Sequence, residues 1–308
     1  MPDRKTVQST RRDFLRGSLA IAGATTLLQV GSALAATDLR EFTADFVSPW
    51  GVAYDAEGNL YVADGGGYRI VVFSSDGKRQ RAIGKPGSGD GQLNVPTGLC
   101  VAGDSLLVCD TNNGRIGEFK IGGDFVRTIG GLGIATGKLA MPNGVAVSEK
   151  WIWVANTRGH VVQRYAPDSG VIDRAFGYFG DDGDELAPGT VDYKFRQPKA
   201  VACGEGLVFV LDSKHNRILV IDEDGALQSI LRPEWNGIGL ARAEGLAMHL
   251  GVLYVADTGN NRVLKVTTDG KTIDAITGLQ EPVGIAGHYG RLAVSSPAAA
   301  KVWEMEMF

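Results

Sequence analysis

Leu253 and Val255 alternate with Tyr254 and Ala256, the period-two pattern of a half-buried strand. Asp257 ends that strand. Thr258-Gly259-Asn260-Asn261 follows as a turn, because Gly and Asn tolerate positive φ and Asn side chains bond to nearby backbone. Arg262 then opens a new strand that runs into Val263, Leu264 and Val266. An Asp and an Arg on either side of so short a turn come together. The spacing therefore predicts an ion pair that staples the hairpin end.

The pattern recurs. Leu60-Tyr61-Val62-Ala63-Asp64 leads to Arg69, Leu106-Leu107-Val108-Cys109-Asp110 to Arg115, and Phe209-Val210-Leu211-Asp212 to Arg217, each with the same offset as Asp257 and Arg262. Two weaker copies keep the frame and lose the pair. Asn156 leads to Val161, and Ser296 leads to Lys301. A second motif precedes each copy: Pro49-Trp50-Gly51, Pro96-Thr97-Gly98, Pro142-Asn143-Gly144, Pro198-Lys199-Ala200, Ala243-Glu244-Gly245 and Pro282-Val283-Gly284. Its third position falls at 51, 98, 144, 200, 245 and 284. Repeats of roughly 40–50 residues with several strands each predict a propeller, here with six blades.

Residues 39–47 read as a lone strand before the first full repeat, while the last repeat ends on its third strand near Lys301. The simplest completion gives that repeat residues 39–47 as its fourth strand. The ring then closes without an open edge. The fold class expected is all-β, with four antiparallel strands in each blade. The 43 glycines and 11 prolines suit its many turns.

The six copies of P-x-G followed by L-Y-V-A-D-x-x-x-N-R resemble NHL repeats, from Pro49 to the C-terminus. That resemblance implies a six-bladed β-propeller in which the P-x-G loops and the D-x-x-x-N-R turns open on one face, the usual ligand or partner surface. The candidate binding residues are then Trp50, Thr97, Asn143, Lys199 and Glu244 around the channel mouth, with Val283. Tyr68, Arg158, His160 and His215 lie further out. The pairs Asp64/Arg69, Asp110/Arg115, Asp212/Arg217 and Asp257/Arg262 read as structural, because a catalytic site is usually built once and these recur. Zinc-holding histidines ring the channel in one lyase built on this propeller. Here the ring has no histidine, and His249 and His288 fall on the opposite face.

Near its start the chain carries Thr10-Arg11-Arg12-Asp13-Phe14-Leu15-Arg16, then an uncharged run rich in small residues, then Ala33-Leu34-Ala35. This order resembles a twin-arginine export signal with a small-x-small cleavage site. The domains expected are a signal peptide at 1–35 and a propeller at 36–308, and the location is periplasmic or otherwise exported. Removing the +3 of residues 1–35 from the whole-chain −4 leaves −7 on the remainder. That argues against nucleic acid and against an anionic membrane surface. The three cysteines have no metal spacing, and Cys100 and Cys109 read as small buried apolar residues.

The longest spacing holds Gly177-Tyr178-Phe179-Gly180-Asp181-Asp182-Gly183-Asp184-Glu185 and runs on to Tyr193 and Phe195. Aromatics flanking acids there offer a clasp for a basic partner. The four acids are also a candidate Ca²⁺ cluster, although their spacing is not that of an EF-hand loop. No cofactor motif, Ser/His/Asp arrangement or G-x-S-x-G is present. The function expected is a scaffold that binds a protein or small polar ligand, as a companion of a periplasmic redox enzyme complex. The alternative is a metal-dependent lyase or hydrolase at the channel, with Zn²⁺ or Ca²⁺ as its metal and with Asn143, Lys199, Glu244 and His160 or His215 as its residues.

Overall fold

A computed structural model describes residues 34–35, 39–179 and 193–307. The export-signal region before residue 34 and the acidic cluster Asp181, Asp182, Asp184 and Glu185 lie outside the described residues. Six four-stranded antiparallel sheets are arranged as the blades of a propeller, and consecutive blades meet through their innermost strands.

Blade 1 runs through Pro49–Tyr54, Leu60–Asp64, Arg69–Phe73 and Arg79–Ile83, from the inside outwards. Blades 2 to 5 repeat this order, starting at Pro96–Ala102, Pro142–Val147, Pro198–Gly204 and Gly245–His249. Blade 6 has Ile285–His288, Arg291–Ser296 and Lys301–Glu306, and its outer strand is Arg40–Phe42. Arg40 pairs with Glu304 and Phe42 with Val302, antiparallel. The N-terminal segment thus closes the ring, with a shorter strand than residues 39–47. Leu34 and Ala35 run parallel to Ile276 and Thr277 on the outer edge of blade 5.

The strand alternation needs one correction. The period-two pattern implied one buried face, yet Leu60–Asp64 is buried at every position. Both faces of each blade are covered, because each blade packs between two others. Leu60 and Val62 enter a cluster with Phe42, Ala293 and Val302 of blade 6. Tyr61 and Ala63 enter one with Leu106, Val108 and Phe119 of blade 2. The apolar core is therefore six such seams, and Cys109 lies in the one between blades 2 and 3. All three cysteines are free, and burial pushes the Cys100 thiol up to about 11. Cys100 stands opposite Leu107, so it is offset from Cys109.

Where inner strands approach the axis, backbone meets backbone. A Cβ on Gly245 would lie 1.8 Å from the Val283 carbonyl oxygen, and one on Gly51 would lie 2.3 Å from that of Thr97. Contacts that close exclude any side chain, which is why the third position of P-x-G is glycine in five blades. Among the described residues, no helix is long and apolar enough to cross a membrane.

Candidate functional site: the channel mouth and its loop anchors

Strand alternation sends the turn after the second strand, and the loop between blades, to one face of the disc, here called the upper face. The hairpins joining first to second and third to fourth strands point to the lower face. The Asp/Arg pairs stand on the upper face. They are Asp64–Arg69 (3.0 Å), Asp110–Arg115 (2.7 Å), Asp212–Arg217 (2.9 Å) and Asp257–Arg262 (2.7 Å), with every Asp side chain fully buried.

Each pair does more than close its hairpin. The other carboxylate oxygen accepts a backbone N–H from the loop entering the same blade: Ser48 to Asp64 (3.0 Å), Asn94 to Asp110 (2.6 Å), Arg196 to Asp212 (2.8 Å) and Ala241 to Asp257 (2.7 Å). The arginines donate to carbonyls of the same loops, as Arg69 does to Asp45 (2.7 Å) and Arg262 to Ile238 (2.7 Å). The buried charge is thereby surrounded by donors, the condition under which a buried ion pair holds. Its effect is to fix the P-x-G loop that follows one or two residues later.

Blade 3 reaches the same result without charge. Asn156 Oδ1 accepts the Ala140 N–H (2.7 Å), and its Nδ2 donates to the Lys138 carbonyl (3.2 Å). Gln163 Nε2 donates to that carbonyl as well (3.1 Å). One carboxamide thus supplies both the acceptor and the donor that Asp and Arg divide elsewhere. The departure of blade 3 from its consensus has a structural account.

A second set of bonds joins neighbouring blades. The hydroxyl one position after the Asp or Asn donates to the carbonyl at the Pro position of the next blade. These are Thr111 to Pro142 (2.8 Å), Thr157 to Pro198 (2.7 Å), Ser213 to Ala243 (2.6 Å) and Thr258 to Pro282 (2.7 Å). In blade 1 this position is Gly65, over which the Trp50 ring leans.

Anchored in this way, Trp50, Thr97, Asn143, Lys199, Glu244 and Val283 converge around a cavity of about 80 Å³ at the channel mouth. Lys199 Nζ lies 3.0 Å from Glu244 Oε2, bridging blades 4 and 5. Thr97 Oγ1 bonds Thr111 Oγ1 (2.7 Å). The volume admits water, an ion or the tip of one side chain. It falls well below the roughly 300 Å³ at which pockets begin to enclose small organic ligands. The mouth is therefore suited to reading the tip of something that sits on the upper face.

The outer candidates separate. Tyr68 is exposed at a left-handed turn position, with φ 55°. Arg158 is exposed beside Leu132, Ile134 and Met141, away from the channel ring. His160 accepts the Gln197 N–H on Nδ1 (3.1 Å) and packs edge-on against Phe179. His215 lies with Nδ1 2.7 Å from Asp212 Oδ2, its side chain almost wholly buried. These two imidazoles are engaged in loop anchoring rather than presented at the channel. The aromatics around the long loop also divide. Tyr178 and Phe179 are exposed, whereas Tyr193 and Phe195 are fully buried in the seam between blades 3 and 4. The Tyr193 hydroxyl donates to the Gly225 carbonyl. The expected clasp is half anchor.

The NHL repeat model matches residues 46–73 and 93–119, which span the first three strands of blades 1 and 2. The fold and these repeats define a six-bladed propeller that carries NHL repeats. No curated protein matches the chain. Among solved structures, a gluconolactonase from Xanthomonas campestris superposes with a TM-score of 0.66 at 17% identity, covering 88% of this chain and 89% of that one. A virginiamycin B lyase from Staphylococcus aureus gives 0.59 at 17% identity, over 88% of each chain. A chain of the nidogen/laminin complex gives 0.63 at 17% identity, over 78% and 85%. Two enzymes and a member of a protein complex thus share this architecture, so the fold alone does not assign an activity.

Proposed function

We propose that the protein is an exported binding scaffold whose upper face receives a protein or small polar ligand. In this reading it travels by the twin-arginine route and works as a companion of a periplasmic redox enzyme complex. The observation that carries the proposal is the channel mouth. Polar and aromatic side chains from successive blades are held rigidly around a cavity of about 80 Å³, and its Lys199 and Glu244 are engaged with each other. Rigid loops that present a small polar focus suit recognition of a protruding group. His160 and His215, the imidazoles that a metal site at the channel would have drawn on, are already bonded within the scaffold.

The test is affinity capture from a periplasmic extract with the tagged full chain, beside a variant carrying Trp50→Ala and Asn143→Ala. The reading expects a co-purifying protein that the variant loses. A chain that emerges alone, or a partner retained equally by the variant, overturns it.

A further inference from the structure

The lower face carries a feature that the upper-face reading leaves unused. The hairpins between first and second strands of blades 4, 5 and 6 turn through Glu205-Gly206, Leu250-Gly251 and Tyr289-Gly290. Both residues of each pair have positive φ: 55° and 73°, 49° and 73°, and 38° and 81°. Two consecutive left-handed residues are the mark of a type I′ turn, whose first position favours Asn, Asp or Gly. Blade 4 fills that position with a polar residue. Blades 5 and 6 fill it with Leu250 and Tyr289, each 78% exposed.

Both placements oppose stability. A leucine or tyrosine in the left-handed region is strained, and the same side chains in water bury little. The two turns are neighbours. A Cβ on Gly287, just before the blade 6 turn, would lie 2.5 Å from the His249 ring just before the blade 5 turn. His288 packs edge-on against Tyr289 at 4.6 Å and lies 5.3 Å from the Tyr54 ring. Two apolar prongs therefore project side by side from one sector of the disc.

Their surroundings define what fits them. The lower-face turns of blades 1 to 5 all expose carboxylates, among them Glu57, Asp104, Glu149, Glu205 and Asp269. The exposed lysines there are Lys78, Lys120, Lys150 and Lys271, with Arg79 next to Lys78, and Arg291 follows the blade 6 turn, where Glu304 holds it (3.3 Å). Lys78 is already held by Asp76 (2.8 Å), and Lys150 lies 3.5 Å from Glu223. Glu205 stands beside the prongs, since a Cβ on Gly251 would lie 2.9 Å from its Oε1. With Arg291 held by Glu304, the exposed carboxylates that flank the prongs are Glu205 on blade 4 and Glu57 on blade 1, a setting that repels an anionic lipid surface and attracts a basic polypeptide.

We propose that Leu250 and Tyr289 form a docking surface for a basic protein segment that carries an apolar anchor. The anchor packs against the two prongs, and its flanking Lys or Arg residues meet the carboxylates of the lower face. This surface is independent of the channel mouth.

The geometry supplies a discriminating variant. Leu250→Asn and Tyr289→Asn put at each turn a residue that tolerates left-handed backbone, so the double variant folds and its Tm stays level or rises. Binding of a synthetic Leu/Lys peptide is measured by fluorescence anisotropy, with a Leu/Glu peptide of equal length and a Ser/Lys peptide alongside. The expected result is that the Leu/Lys peptide binds most tightly, weakens with salt and loses about tenfold or more in affinity to the double variant. It is indifferent to Trp50→Ala with Asn143→Ala. Equal binding of the Leu/Glu or the Ser/Lys peptide, or Leu/Lys affinity unchanged by the double variant, overturns the proposal. So does a sedimentation result showing that the prongs pair two copies of this chain. Failure of the upper-face capture leaves these outcomes intact, so the two readings fail separately.

Discussion

Lys199 and Glu244 meet at 3.0 Å across the boundary between blades 4 and 5, each contributed by the middle position of a P-x-G loop. Both side chains are largely buried, so each depends on the other to offset its desolvation. Glu244→Gln strands the ammonium in the channel mouth and is expected to destabilise the protein by about 1–3 kcal/mol in urea titration. Glu244→Gln with Lys199→Met removes both charges and recovers most of that loss. The two single losses should sum to at least ~1 kcal/mol more than the double. Additive losses would mean that the contact contributes nothing.

Asn156 makes a sharper test, because it isolates what the Asp/Arg anchors do. Asn156→Asp keeps the acceptor for Ala140 but turns the donor facing the Lys138 carbonyl into a second acceptor. Val161 stands where an anchor arginine would be. The single substitution should destabilise by about 2–3 kcal/mol, as a buried charge without its partner does. Adding Val161→Arg to it should restore part of that loss. Denaturation midpoints of the three chains decide it, and a single variant as stable as the parent refutes the account.

These anchors also mark how far the sequence can be read. Asp257 and Arg262 were legible as a pair because a short turn fixes their separation, and turn chemistry is local. The closing strand was legible because a three-stranded last repeat leaves an edge that must be covered. What the carboxylates hold was not legible. The Ser48, Asn94 and Ala241 amides reach them from loops of differing length, and no periodicity records that contact. Burial on both faces was missed because alternation between small and large apolar residues resembles alternation between inside and outside. Ala63 and Tyr61 share a seam where a solvent face was expected. His215 read as a surface group because nothing local reveals that Asp212 receives it. The channel-mouth ring was readable from the P-x-G frame, since the glycine after it permits the close approach that brings the middle positions together.

Ring closure rests on three residues, and Phe42 is the one that packs. It is 3% exposed and meets the Phe73 ring edge-on at 5.0 Å, joining blade 6 to blade 1. Phe42→Ala removes that contact and loosens the strand whose pairing with blade 6 seals the disc. The expected loss is about 3–5 kcal/mol. Because the closing strand couples the first and last blades, the unfolding transition should also broaden, with a smaller denaturant slope. A lowered midpoint with an unchanged slope would show that the remaining blades still unfold as one unit without the seal.

His249 gives the protein an acid-sensitive element on its lower face. Burial lowers its pKa below the ordinary 6.5, and the neighbouring His288 adds to the effect. Arg291 lies 3.5 Å from His288 Nδ1, so a guanidinium faces the same corner. His249 Nε2 is buried without a hydrogen-bond partner, which leaves a proton there unsolvated. The sign follows from linkage. Below about pH 6.5 the unfolded chain binds a proton at this position that the folded chain refuses, so stability falls as pH drops toward the lowered folded pKa. Above about 6.5 both states are neutral there, and the contribution is constant. His249→Asn removes the titration, so below about pH 6.5 its stability should decline less steeply than that of the parent, as read from urea midpoints at each pH. Parallel curves for the two chains would remove His249 as the source of any acid sensitivity.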